Sequence, residues 1–127
     1  MIDIGSTIYI AGPMRGYPLM NFPQFFYWQV QLEKSGYKVI NPAAEDCKRW
    51  FKDGWVFKES EWRDVLEYDK MLIRSQADAL FVLDGWKDSE GALEEIELAV
   101  EIGIDVFYED KPVLGCGLGC ACAEKES

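Results

Sequence analysis

The sequence predicts an α/β domain, a doubly wound parallel sheet of four to five strands, on three observations. Short β-branched or apolar runs recur at Thr7-Ile-Tyr-Ile-Ala11, Tyr37-Lys-Val-Ile40, Leu80-Phe-Val-Leu83 and Ile104-Asp-Val-Phe-Tyr108. Between them lie segments of helical period, opened and closed by recognisable caps. The first strand, helix and second strand follow one another closely enough to form a βαβ unit, which makes the strands parallel and the crossover right-handed.

Thr7–Ala11 reads as a buried first strand, ending at a loop with two glycines and two prolines around one arginine, Gly12-Pro-Met-Arg-Gly-Tyr-Pro18. Asn21 is placed to open a helix through Phe22, Phe25, Phe26, Gln29, Leu32 and Glu33, which Ser35-Gly36 ends. The second strand, Tyr37–Ile40, stops at Asn41-Pro42. A short helix is expected over Ala43–Trp50 and a loop over Phe51–Trp55. A long helix then runs from Ser60 to about Gln76, with the apolar stripe Trp62, Val65, Leu66, Leu72 and Ile73. Asp69 falls in the middle of that stripe. Leu80–Leu83 and Ile104–Tyr108 are the third and fourth strands, and Asp84–Asp88 is the loop between the third strand and the last helix. This is the flavodoxin-like or Rossmann-like pattern, in which ligands bind at the carboxyl ends of the strands.

The last helix, from Asp88 to Gly103, carries the most informative misfit. Ser89 suits its N-cap, Glu90 its first turn and Gly103 its C-terminal stop. Glu90, Glu94, Glu97 and Glu101 share one side, which must be the wet one. Ala92, Ile96, Ala99 and Gly103 share the other, flanked by Leu93, Leu98, Val100 and Ile102. Glu95 breaks the pattern, lying inside the apolar arc between Ala92 and Ala99. A carboxylate there costs several kcal/mol unless something compensates it. It is either a buried structural ion pair, or at the rim of a leaning helix, or a group aimed into a cleft. Small neighbours (Gly91, Ala92, Ala99) favour the cleft, and Asp69 on a second helix makes a purely structural account of both harder.

Composition sets the outer bounds. A chain of 127 residues, nearly half hydrophobic, is one globular domain. Residues 1–112 form that domain, and the Gly- and Cys-rich stretch 113–127 is expected to be a mobile tail without chemistry. A net charge of −10 argues against gripping a nucleic-acid polymer, though not against one small anion in a local pocket. No apolar run reaches the length of a membrane span and the N-terminus lacks the pattern of a signal peptide, so a cytoplasmic protein is expected. The chain has no histidine and no paired CxxC motif, so neither a metal nor a cofactor is expected. Trp50, Phe51, Trp55 and Trp62 cluster in sequence, as aromatics buried between subunits do, which predicts a homodimer or larger assembly.

With these positions in hand, the chain resembles the nucleoside 2-deoxyribosyltransferase family and the related nucleoside 5′-monophosphate N-glycosidases. The resemblance rests on Tyr9-Ile-Ala-Gly-Pro-Met-Arg-Gly16, on Asp69 upstream of Ala77-Asp-Ala-Leu80, and on the helix Asp88–Ala99 with its Gly91-x-x-x-Glu95 spacing. Their order and spacing span residues 7–108. It implies that Glu95 is a nucleophile attacking C1′ of a sugar, that Asp69 helps protonate the departing base, and that Tyr9 orients Glu95. Tyr9 as a packed core tyrosine is the alternative. The family's substrate loop maps to Gly12, Pro13, Met14, Arg15 and Gly16, and Ser89 and Gly91 open the catalytic helix. Arg15-Gly16, with Ser89 six residues before Glu95, matches the phosphate-holding pattern of the 5′-monophosphate hydrolases. Asp88 stands beside the place where transferases acting on free nucleosides carry an aspartate, and Ser89 also serves as a plain N-cap. The chain departs from the family at Glu97, where a small residue is usual, and beyond residue 108. The expected partner is therefore a small nucleoside or nucleotide. A non-catalytic nucleotide-binding module and a hydrolase of another N-glycoside, such as NAD, are the competing readings.

Overall fold

The protein is described by a computed structural model over residues 3–49 and 59–109. The expected loop Phe51–Trp55, with Trp50, and the tail 113–127 lie outside these residues. The elements run β1 (Thr7–Ala11), α1 (Phe22–Lys34), β2 (Lys38–Ile40), α2 (Pro42–Arg49), α3 (Glu59–Gln76), β3 (Ala79–Val82), α4 (Glu90–Ile102) and β4 (Asp105–Tyr108). Short helical turns at Pro18–Asn21 and Trp86–Asp88 lie in the two loops that matter most below. The four strands make one sheet in the order β2-β1-β3-β4, and every pairing is parallel. It is a flavodoxin-like, Rossmann-like arrangement, and each predicted strand and helix within the described residues is present to within a residue or two.

Alternation along the strands builds the three layers. Ile8 and Ile10 of β1, with Ala79, Phe81 and Leu83, face Phe25 and Leu32 of α1 and Ala43 of α2. Tyr9 and Ala11, with Leu80 and Val82, face Leu72 and Ile73 of α3 and Leu98 and Ala99 of α4. Both central strands are covered on both sides, which is why they read as continuous apolar runs. Burying each of the larger side chains contributes roughly 1.5–3 kcal/mol before conformational entropy is subtracted. Asp78 closes the amino end of the β1–β3 pair: its Oδ2 accepts the Thr7 N–H at 2.8 Å and its own N–H donates to the Thr7 carbonyl.

Two local details depart from the sequence reading. Asn21 does precede α1, but it makes no capping bond. It sits in the left-handed region (φ 61°), as do Leu19 and Met20, and its Nδ2 donates to the Pro13 carbonyl at 3.0 Å. A tertiary acceptor has taken the side chain that the helix end was expected to use, and asparagine tolerates that backbone better than most residues. On α4, Leu98 is buried, whereas Leu93, Val100 and Ile102 face outward, Val100 with 68% of its surface exposed. The sheet covers a narrower arc of α4 than its apolar residues span.

Candidate active site

In the order β2-β1-β3-β4, successive connections leave in opposite directions at the β1/β3 boundary, so the loops after those strands diverge and leave a crevice. A cavity of about 590 Å³ opens there, within the usual range of roughly 300–1,000 Å³ for small-molecule sites. Its walls are the loop Gly12–Tyr17, Phe25 of α1, Pro42 of α2, one face of α3 from Trp62 to Asp69, and the stretch from Asp88 to Glu95. Nine residues singled out from the sequence, Gly12, Pro13, Met14, Arg15, Gly16, Asp69, Ser89, Gly91 and Glu95, line it together. The tenth, Tyr9, lies behind the wall and reaches it through Glu95.

Glu95 is the centre of this arrangement. It is 5% exposed, and its Oε2 accepts the hydroxyl of Tyr9, which is 0% exposed, at 2.7 Å. The pairing follows from alternation, since Tyr9 points to the α3/α4 side of the sheet with Ala11. A short bond to a buried phenol fixes one carboxylate oxygen, and with it the rotamer of the side chain. Burial favours the neutral acid, whereas the Tyr9 bond favours the carboxylate. Asp69, 6% exposed, faces the same cavity from α3.

The other end of the cavity is suited to an anion. Ser89 caps α4, its Oγ accepting the Ala92 N–H at 3.2 Å, and the helix presents its N-terminal N–H groups to the cavity. Arg15 stands on the opposite loop with its guanidinium 5.0 Å from the centre of the Trp62 ring. Cation–π contact of that kind holds a long side chain in place beside the cavity. Asp88 and Glu90, on either side of Ser89, also line the cavity. Among the described residues no group of three or more Cys, Asp or Glu side chains is arranged to hold a metal ion, and no helix is long and apolar enough to cross a membrane.

Trp62, Tyr17 and Arg63 are wall residues that the sequence did not single out as site residues. Trp62 carried a signal, since it shares a helical stripe with Asp69. It is half-buried beneath Arg15. Tyr17 carried none: it reaches the loop after β3, where a side chain on Gly85 (φ +90°) would collide with its hydroxyl. Two glycines in the walls have different reasons. A Cβ on Gly12 would come within 2.8 Å of Leu83 Cβ, so the protein itself excludes one. A Cβ on Gly91 would make only ordinary contact with Leu66, 3.8 Å away.

Comparison with known proteins places residues 6–108 in a family described as a domain of unknown function, DUF4406. No curated protein matches the chain.

Proposed function

The chain belongs to that family, and we propose that this member cleaves or transfers the N-glycosidic bond of a nucleoside or deoxynucleoside 5′-monophosphate through a covalent glycosyl-Glu95 intermediate. One observation carries the reading: a buried glutamate held by a tyrosine hydroxyl shares one cavity with a second buried carboxylate and with an arginine and a helix N-terminus. That is the equipment for glycosyl transfer from a phosphorylated sugar. A module that only sensed an anion would gain nothing from two buried carboxylates beside it.

In this reading Arg15, Ser89 and the first N–H groups of α4 hold the 5′-phosphate, which places C1′ toward Glu95. A Glu95 carboxylate oxygen attacks C1′ as the bond from C1′ to the base nitrogen breaks, through an oxocarbenium-like transition state. The electron pair of that bond leaves with the base, which takes a proton from Asp69. Burial of Asp69 favours its protonated form. Water, deprotonated by the Asp69 carboxylate, then attacks C1′, releasing the sugar phosphate and restoring both carboxyl groups. A second base in place of water gives transfer. Tyr9 keeps Glu95 in its attacking rotamer. The apolar and aromatic walls, Met14, Phe25 and Trp62 among them, suit the base and exclude water.

The second reading, a transferase acting on free 2′-deoxynucleosides, is favoured by a specific observation: Asp88 and Glu90 flank Ser89 in the cavity wall and oppose a phosphate dianion there. We place the protein in the cytoplasm as a homo-oligomer of two or more chains, which sedimentation at micromolar concentration tests. The decisive experiment for the activity is to incubate it with a panel of nucleosides and their 5′-monophosphates and to follow free base by chromatography. Release of base from monophosphates, abolished by Glu95→Gln, is the expected result. Release from free nucleosides alone moves the assignment to the second reading, and release undiminished by Glu95→Gln ends the nucleophile assignment.

A further inference from the structure

Asp69 and Glu95 stand on different helices, so the distance between their carboxylates depends on how α3 sits against α4. Their neighbours in sequence, Lys70 and Glu94, lie outside the cavity wall and meet across the same helix pair. Lys70 Nζ is 3.3 Å from Glu94 Oε1. Arg63, earlier on α3, takes both oxygens of Glu94, Nη1 donating to Oε2 at 2.9 Å and Nη2 to Oε1 at 2.7 Å. Glu67 joins the group from α3, 3.5 Å from Arg63 and 3.7 Å from Lys70.

The apolar part of the α3–α4 contact near the site sets a register less sharply than directional bonds do. Gly91 has no side chain and packs on the flexible end of Leu66, and apolar contact is non-directional. A two-pronged guanidinium–carboxylate contact is directional, because sliding or turning one helix breaks at least one of its two bonds. Glu94 is the residue before Glu95, and Lys70 the residue after Asp69. A shear of α3 against α4 therefore moves the two carboxyl groups relative to each other.

We propose that Arg63 and Glu94, with Lys70 and Glu67, form a positioning clamp that fixes the separation of the Glu95 and Asp69 carboxylates and through it the rate of bond cleavage. The inference rests on the glycosyl-transfer reading of those two carboxylates. The scale is right for a kinetic effect: carboxyl pairs about 5–5.5 Å apart support a covalent intermediate, and pairs about 6.5–9.5 Å apart leave room for water instead. A displacement of about 1 Å is enough to lower turnover on the order of a hundredfold. Arg63 and Glu67 are exposed and Lys70 and Glu94 half-buried, so a structural role alone would show as lost stability and leave the turnover of the folded protein nearly untouched.

The test uses Glu94→Ala, Arg63→Ala and the double variant, with the substrate that the panel identifies. Glu94→Ala is expected to lower kcat roughly ten- to a hundredfold with KM within about threefold, since the lost geometry matters on the way to the transition state. The double variant should be no slower in kcat than the worse single one, because the two residues act as a unit. Glu94→Asp, which keeps the charge on a shorter stem, should recover part of the loss. Crystal structures of the parent and Glu94→Ala proteins should show a changed separation between the Asp69 and Glu95 carboxylates, a readout that needs no turnover. An unchanged separation overturns the clamp, and so does a kcat within about twofold of the parent or multiplicative losses in the double variant. Glu95→Gln keeps the two failures apart: if it retains turnover, the nucleophile reading has failed, whereas an inactive Glu95→Gln beside a fully active Glu94→Ala condemns the clamp alone.

Discussion

Replacing Tyr9 by phenylalanine removes one oxygen and nothing else from a ring that is 0% exposed. Phenylalanine fills the same volume, so packing hardly changes, while the 2.7 Å bond to Glu95 Oε2 is lost. A hydrogen bond from a buried donor to a charged acceptor contributes about 1.5–3 kcal/mol. A water drawn in from the cavity would bring the loss to the lower end. Taking a urea m-value of about 1.5 kcal/mol/M for a domain of this size, the unfolding midpoint should fall by about 1–2 M. The hydroxyl favours ionised Glu95, so its removal raises the affinity of the folded state for a proton. The loss is therefore largest where Glu95 is ionised in both proteins, and shrinks as pH falls and both take up that proton. Urea unfolding at several pH values measures this, with Tyr9→Phe in a Glu95→Gln background as the second arm of the cycle. A loss below about 0.5 kcal/mol at every pH, or the same loss in the Glu95→Gln background, refutes the account, because surface-like changes reach that size on their own.

The other predictions concern the walls of the cavity. Gly12→Ala places a methyl 2.8 Å from Leu83 Cβ and 3.1 Å from its Cγ and Cδ1 in the core, which should destabilise the fold by about 1–3 kcal/mol in thermal unfolding. Gly85→Ala meets an unfavourable φ of +90° and should cost about 1–2 kcal/mol for that reason alone. Its methyl should also push the Tyr17 ring aside, seen as faster nitration of that tyrosine. Gly91→Ala, by contrast, should fold normally, with stability unchanged or raised by up to about 1 kcal/mol. A loss of ligand binding in that variant would mean that glycine is needed for the ligand and not for the fold. Arg15→Ala should weaken binding of a 5′-monophosphate by about 1.5–3 kcal/mol in calorimetry and leave the nucleoside unaffected. Equal losses for both would remove the phosphate from that end of the cavity.

The features legible in the sequence are those that short-range periodicity controls. β1 and β3 are covered on both faces, so their residues are apolar without interruption, and the helices between them leave a crossover as the simplest connection. The N-cap at Ser89 and the stop at Gly103 were legible because each depends on a neighbour within one turn: Ala92 N–H for the first, and the Ala99 and Val100 carbonyls for the second. Asn21 obeyed the same local rule on paper but not in the fold. Its amide is claimed by Pro13 across the loop, and the three left-handed residues that end there form a turn no helix-start rule anticipates. The outward-facing Val100 and Ile102 had the same origin. A helical wheel locates an apolar arc, but the sheet decides how much of it is covered.

Glu95 shows where a local rule can reach a distant partner and where it stops. Its burial was legible because a carboxylate among small apolar residues is expensive, so its position in the arc demanded a compensating group. The sequence also contains what is needed to narrow the choice of that group. Alternation along β1 sends Ile8 and Ile10 to one face and Tyr9 and Ala11 to the other, and Tyr9 is the one polar tip among them. Which helices lie on which face is decided by strand order, and strand order is set by the pairing of β1 with both β2 and β3, not by any window of residues. Once β3 lies beside β1, the helix after β3 packs on the Tyr9 side and the phenol meets Glu95. The same pairing brings the loop carrying Arg15 up to the N-terminus of α4 and lays its guanidinium on Trp62. A sequence can announce that a buried carboxylate needs a donor, but the sheet topology selects the donor and in the same step builds the crevice in which that carboxylate can act.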